Sequence, residues 1–379
     1  MEFSEFYAKK KQELQDSDSW RNLKSAQGLD FCSNDYLGFA LNLELKKRII
    51  DKLKDYPLGS GGSRLLRGQS PLTEQLEKQL AQFSGKAASL YFPSGYQANL
   101  GLNSTLFRTD SVVFSDERVH ASIIDGIRLS SCEKYIWQHN DLSDLEMLLR
   151  QKARPDKMNF VLIESIYSML GDLAPLKEMV DICQTYKAHL IVDEAHATGL
   201  YGERGSGLVE AAGLTDKVFA TLHTGGKALG VSGAWVACGE ELRSWLINSS
   251  RPFIYSTAPA YFQQIALMES VHFLSEKPKE WQGMFREQHA KLYEILKNYE
   301  DDKTRILGSG SPILAVIVGT NRRALDFMFH MQEQGIDVRA IRPPSVPEGE
   351  ALLRVTCPLS RSDGDLEKLK TAWQTAWSW

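Results

Sequence analysis

Between Ser89 and Asp193 short apolar runs take turns with segments of helical spacing, and this alternation limits the fold more than any other feature. Residues 89–92, 112–114, 134–138, 160–164 and 189–193 read as strands. They are apolar, short and closed by turn residues. Between them, 97–107, 120–131 and 176–186 read as helices, with Ile123, Ile124 and Ile127 on one face of the second. A further helix is expected to start at Ser143, with Ser143 and Glu146 as a capping box and Leu142 and Met147 as its staple. Strands alternating with helices of this length build βαβ units and a mostly parallel sheet. A strand over 218–222 and another over 232–239 are joined too tightly for a parallel crossover, so the second is expected to run antiparallel. Upstream, Ser70 and Pro71 start a helix whose stripe of Leu72, Leu76, Leu80 and Phe83 is core, and Gly85 stops it.

The chain has 379 residues, enough for one large domain and a smaller one. After a helical stretch over 261–299 the pattern becomes α+β, with strands at 313–318, 337–341 and 352–356 and helices at 323–334 and 365–377. The expected division is an N-terminal segment over 1–40 (a helix near 3–14, then a strand breaking into a turn over 31–38), a large domain over 41–284 and a small one over 285–379. A net charge of −4 gives no electrostatic case for nucleic acid or an anionic membrane. No run of 18 apolar residues is present, and Lys9, Lys10 and Lys11 are not followed by the apolar core of a secretion signal. The cysteines (Cys32, Cys132, Cys183, Cys238, Cys357) are odd in number and scattered, which suits free thiols in a reducing compartment. A cytoplasmic enzyme is expected, with no metal.

The strand over 189–193 ends in Asp193, followed by Glu194, Ala195 and His196, and Lys227 lies downstream between Gly225-Gly226 and Gly230. In open α/β sheets ligands bind at the carboxyl edge of the strands. An acid, an imidazole and a lysine in a setting of little bulk are the parts of a pyridoxal-phosphate site, where lysine forms the Schiff base and the acid partners the pyridinium nitrogen. Each residue alone has a plainer reading: a capping carboxylate, a surface lysine, and structural histidines at 120 and 196. Asp-Glu-Ala-His also occurs as a helicase motor signature, but that needs an upstream phosphate loop. Neither Gly85-Lys86-Ala87 nor Gly226-Lys227-Ala228 supplies its outer glycine or its hydroxyl. Ser94-Gly95-Tyr96 at a strand-to-helix turn could seat an anion. The glycine-dense loop over 59–64 could be a ligand loop or a surface turn.

Five stretches, FCSNDYLG, PSGYQANLG, ESIYSMLGDLAPL, VDEAHATG and TGGKALGVSGAWV, together resemble the α-oxoamine synthases in order and spacing. The resemblance implies an α/β aspartate-aminotransferase fold (fold type I) that uses pyridoxal 5'-phosphate, with a smaller α+β C-terminal domain. It also implies roles. Lys227 would be the Schiff-base lysine and the base that takes the substrate proton, and Asp193 the pyridinium partner. His196 would sit near the phenolic oxygen, and His120 would stack on the ring and polarise substrate. Gly95, Tyr96, Ser168 and Thr224 would hold the phosphate end, with Thr257 reaching it from the second subunit of a homodimer. Arg354 would clamp the amino-acid carboxylate near Asn34, and Ser345 would contact substrate. Arg21 is a candidate for reading the acyl end. The stretch from Ala340 to Pro347 resembles the members that join L-alanine to a pimeloyl thioester, on coenzyme A or a carrier protein, in biotin synthesis. Glycine and serine acyltransferases are the sister alternatives. An aminotransferase, or a silent subunit that keeps the fold for a partner, is the reading from another class. Leu170 stands where an acidic residue is usual in the family, and Ala197 where glycine is usual.

Overall fold

The structure, a computed structural model, describes residues 2–23 and 25–378. The chain divides into two compact units. The larger comprises Asn34–Ser168 and Leu173–Phe285; the smaller gathers the chain up to Ser33, Met169–Asp172 and the chain from Arg286.

A seven-stranded sheet organises the larger unit. Its strands are β1 (Ala88–Phe92), β2 (Ser111–Asp116), β3 (Glu133–Trp137), β4 (Met158–Glu164), β5 (Ala188–Asp193), β6 (Ala220–Thr224) and β7 (Ala234–Cys238). Across the sheet the order is β1-β7-β6-β5-β4-β2-β3. β7 pairs antiparallel with both neighbours, and β6, β5, β4, β2 and β3 pair in parallel. The short link after β6 therefore produces the reversed strand that its length requires. Successive residues of a strand face opposite ways, so continuous apolar runs are what a sheet covered on both faces demands. Val113, Leu162 and Ile191 pack with Leu102 and Ile123 on one face. Val112, Val161 and Val192 pack with Leu149 and Met179 on the other. The helices Gly95–Leu106 and Ala121–Arg128 thus cover one side, and Leu142–Lys152 and Leu176–Thr185 the other.

Local expectations fail in four places. The helix Leu142–Lys152 is capped by Asp141, whose carboxylate accepts from the Ser143 and Asp144 N–H groups at 2.9 and 3.1 Å. Asn140, at a positive φ of 54°, turns the chain so that Asp141 rather than Ser143 reaches the cap position. The expected strand over 337–341 is two: Ile336–Asp337 pairs with Leu29–Asp30, and Arg339–Ile341 with Ala351–Val355. Residues 31–38 form no strand. The helix Leu43–Leu53, capped by Asn42 through the Leu45 N–H at 2.9 Å, was not anticipated.

In the smaller unit four antiparallel strands run in the order Arg339–Ile341, Ala351–Val355, Leu314–Gly319 and Arg305–Leu307. The helices Asn321–Glu333 and Asp363–Trp377 supply Phe327 and fully buried Trp373 to its core, ring centroids 4.8 Å apart. Residues up to Ser33, expected within a separate N-terminal segment, group with this unit. Leu29–Asp30 is paired there, and Thr356 donates from its N–H to Phe31 and from its hydroxyl to Ser33. The five cysteines are free thiols. Among the described residues no helix is long and apolar enough to cross a membrane.

The glycine-dense loop is anchored rather than loose. Arg64 is 6% exposed and bonds Glu77 at 2.9 Å; Glu77 also takes the Tyr91 N–H at 2.9 Å and Arg243 at 3.0 Å. Removing one partner of a buried ion pair leaves the other charge desolvated, which costs about 3–5 kcal/mol. Glu77→Ala is therefore expected to lower the unfolding free energy by an amount in that range, read as a lower denaturant midpoint at unchanged m. An unchanged midpoint would show that Arg64 finds water or another acceptor.

Candidate active site

The carboxyl ends of β4, β5 and β6 lie side by side, because the register sets Glu164 beside Asp193 and Asp193 beside Leu222. Asp193 is 6% exposed. Its Oδ1 accepts the Ala195 N–H at 2.9 Å and its Oδ2 accepts Asn99 Nδ2 at 2.7 Å. Both of its oxygens therefore act as acceptors. Three residues on, His196 is buried and its Nδ1 lies 2.7 Å from the Tyr36 hydroxyl, which in turn bonds Asn34 Oδ1 at 3.1 Å. Glu194 turns away from this group. Ser165 Oγ (2.5 Å) and the N–H groups of Leu208 and Val209 hold its carboxyl, and burial pushes its pKa up to about 7.

Lys227 is half-buried in the loop after β6. The Gly230 N–H bonds the Lys227 carbonyl at 2.8 Å, and the Val231 N–H closes the turn on Gly225 at 2.9 Å. Gly230 has a positive φ of 67°, and a Cβ there would lie 2.3 Å from the Ala40 nitrogen. The glycine is required by both its conformation and the close approach. Thr224, at the end of β6, accepts the Gly226 N–H and donates to the Gly233 carbonyl, both at 3.2 Å. Its hydroxyl lies 3.8 Å from where a Cβ on Gly95 would be. Thr224 therefore sits against the start of the helix Gly95–Leu106, whose cap Ser94 takes the Gln97 N–H at 3.3 Å. The first N–H groups of a helix, here those of Gly95 and Tyr96, have no intrahelical acceptor and favour an anion.

His120 caps the helix Ala121–Arg128 through Nδ1. Tyr96 meets its ring edge-on, centroids 6.5 Å apart. Burial holds the His120 pKa below the ordinary imidazole value; Asp193 opposes this and Lys227 adds to it, so the three charges sense one another. Glu164 was passed over in the sequence, although its strand also ends in an acid. It is 3% exposed, and its pKa stands well above the carboxylate range. Burial is the main cause and Asp193 the second, with Lys227 and the N–H groups of His120 and Ser168 opposing. The two carboxyls lie side by side, and the Asp193 charge adds to burial in making the Glu164 carboxyl harder to ionise.

The structure thus brings together His120, Asp193, Lys227, Glu164 and Ser168, with His196 following Asp193, Asn34 joined to it through Tyr36, and Gly95 and Tyr96 set beside Thr224. Thr257 is exposed and bridges to Ser63 of the glycine-dense loop, while its neighbour Ser256 takes a bond from Gln97 at 3.4 Å. Arg354 and Ser345 belong to the smaller unit. Arg354 is 7% exposed in the middle of Ala351–Val355, and Ser345 is exposed in a turn closed on the Arg342 carbonyl at 3.1 Å. The donor set of the larger unit fits pyridoxal phosphate. It has a buried carboxylate for the ring nitrogen, an amine in an uncrowded loop for the aldehyde, imidazoles for the ring, and a helix start with a threonine hydroxyl for the phosphate.

The aminotransferase class I and II family matches residues 26–372. An 8-amino-7-oxononanoate synthase of Lysinibacillus sphaericus is 36% identical over 327 residues, 86% of this chain and 82% of that protein. Among solved structures, a serine palmitoyltransferase of S. paucimobilis with a bound PLP–myriocin aldimine gives a TM-score of 0.90 at 26% identity, covering 99% of this chain and 98% of that one. The 8-amino-7-oxononanoate synthase of Francisella tularensis gives 0.77 at 26% identity, covering 93% and 97%. A likeness that runs through both units, at this identity, is descent rather than shared architecture alone: the chain belongs to the aminotransferase class I and II family, among the pyridoxal-phosphate α-oxoamine synthases.

Proposed function

We propose that the protein is an 8-amino-7-oxononanoate synthase of biotin synthesis. It would condense L-alanine with a pimeloyl thioester, carried by coenzyme A or a carrier protein, with loss of CO₂ and release of the free thiol. The observation that carries this reading is the 8-amino-7-oxononanoate synthase relative, matched across 86% of the chain, together with the buried Asp193 carboxylate at the carboxyl edge of the sheet. The enzyme is a pyridoxal-phosphate acyltransferase, and the cofactor, when bound, supplies an electron sink for the charge left at the amino-acid Cα.

The chain's own residues divide the remaining work. Asp193 would face the ring nitrogen of the cofactor and favour its protonated form by charge. Lys227 Nζ would anchor the cofactor and would be the base for the Cα proton. The Gly95 and Tyr96 N–H groups, Ser168 and Thr224 bind the phosphate, and Thr257 is proposed to do so from the partner subunit of a homodimer. Arg354 offers the planar fork that suits a carboxylate, with Asn34 as a second donor. His196 is assigned to the phenolic oxygen, His120 to the ring face and the substrate, and Ser345 to substrate contact. A cytoplasmic location suits free thiols and small-molecule substrates.

The fold likeness to serine palmitoyltransferase favours a second reading, in which serine replaces alanine and a longer acyl chain is used. One panel separates the two. The loaded protein is incubated with alanine, glycine or serine against pimeloyl, acetyl and long-chain thioesters, and free thiol and CO₂ are measured for each pair. The proposal expects both products together, with alanine and pimeloyl thioester the best pair. Preference for serine with a long chain supports the second reading. Amino transfer to a keto acid without CO₂ would overturn both.

A further inference from the structure

Four polar side chains behind the site are bonded end to end. Asn99 Nδ2 donates to Asp193 Oδ2 at 2.7 Å and to Ser122 Oγ at 3.0 Å. Ser122 Oγ lies 2.7 Å from His120 Nδ1, and the Ser122 backbone N–H donates to the same nitrogen at 3.3 Å. Asn99 is 4% exposed and Ser122 is 0% exposed, so water does not complete these bonds.

The chemistry of the chain's two ends fixes each proton between them. A carboxylate only accepts, so the Asn99 amide must turn its nitrogen toward Asp193. That nitrogen only donates, so Ser122 Oγ accepts from it. The hydroxyl hydrogen is then left for His120 Nδ1. A backbone N–H is an obligatory donor, and it meets the same nitrogen. With two donors aimed at Nδ1, the neutral ring carries its proton on Nε2.

We propose that Asn99 and Ser122 are positioning residues that lock His120 as the Nε2–H tautomer, so that its ring meets substrate as a hydrogen-bond donor. The proposal rests on the reading above in placing His120 against substrate; the tautomer itself does not. The groups facing His120 are Asp193 from β5, Lys227 from the loop after β6, Glu164 from β4, Tyr96 from the helix Gly95–Leu106 and Asp125 from its own helix. None of them contacts Nδ1 as Ser122 does. Removing the Ser122 hydroxyl takes away a donor that favours the unprotonated nitrogen. The backbone N–H at 3.3 Å then remains as the donor at Nδ1, so the ring titrates higher and a share of the Nδ1–H tautomer enters.

The test is nitrogen NMR of the full-length, cofactor-loaded protein with imidazole-labelled histidine, His120 being assigned by comparison with His120→Gln. The expected result is Nε2 protonated and Nδ1 bare in the parent protein. In Ser122→Ala a tautomer mixture appears, and the acid limb of kcat/KM moves up by about one pH unit, the worth of one hydrogen bond. Ser122→Thr restores both, which a loss of packing alone would not predict. The proposal is overturned if the parent ring carries its proton on Nδ1. It is also overturned if Ser122→Ala and Asn99→Ala leave the tautomer and the limb in place. The parent spectrum decides even if a variant does not fold. Should no amino acid and thioester pair react, the spectrum still reads the tautomer, so the two failures are distinguishable.

Discussion

Lys227→Ala protein is expected to fold normally and to turn over no substrate, a loss of at least about 1000-fold. General-base catalysis by a positioned group contributes roughly 10²–10⁴, and this residue carries the covalent link to the cofactor as well. The fold should survive because Lys227 is half-buried in a loop whose shape is set by the backbone bonds of Gly225, Gly230 and Val231. Two readouts accompany the activity. The reconstituted variant should lack the visible absorbance of a lysine-linked cofactor. His120 should also titrate higher than in the parent, because Lys227 is one of the charges that depress it. Near-normal condensation in the variant, measured as CO₂ and free thiol, would remove Lys227 from the chemistry. Lys227→Arg is the control for charge: it should leave His120 depressed and still be inactive.

The sheet was legible in the sequence because its signals are local. An apolar run of five or six residues has to be buried on both faces, and the link between β6 and β7 is too short for a crossover. Asp193 and Lys227 were legible for a similar reason, an acid at a strand end and a lysine among glycines. What escaped was set by partners far along the chain. Leu29–Asp30 is a strand because Ile336–Asp337 lies beside it, and nothing near residue 29 announces that pairing. Asp141 takes the cap that the Ser143 pattern suggested, since the backbone turn at Asn140 comes first. Glu164 carried the same strand-end signal as Asp193. Its importance is visible only when the register sets the two carboxyls side by side. Asn99 and Ser122 have no sequence signal at all. They are polar residues in helical segments, and only the packing of two helices onto one strand end makes them a relay.

Asp193→Asn should lower kcat/KM by roughly 100- to 1000-fold, the usual cost of removing one preorganised electrostatic stabiliser, and should change the pH dependence of stability in a defined direction. Glu164 has its pKa raised in the folded protein, and Asp193 is a named cause after burial; the same holds for Glu194, raised to about 7, where Asp193 is the last cause. For an acid raised on folding, the native state holds the proton longer than the unfolded chain does. The stability it contributes is full below the ordinary value of 4.5 and is lost as pH rises through the folded value. The parent protein should therefore lose stability from these two groups upward of pH 4.5. Asparagine at 193 removes the neighbouring charge, lets both carboxyls ionise more easily and makes that loss smaller. It also sets an amide nitrogen against Asn99 Nδ2, which costs about 1–3 kcal/mol for an unmet buried donor at every pH. The variant should consequently be less stable than the parent in acid, with the gap narrowing as pH rises toward neutrality. Denaturant midpoints measured from pH 4.5 to 8 would show it. A gap that stays constant or widens with pH would mean that Asp193 does not raise the Glu164 carboxyl by charge.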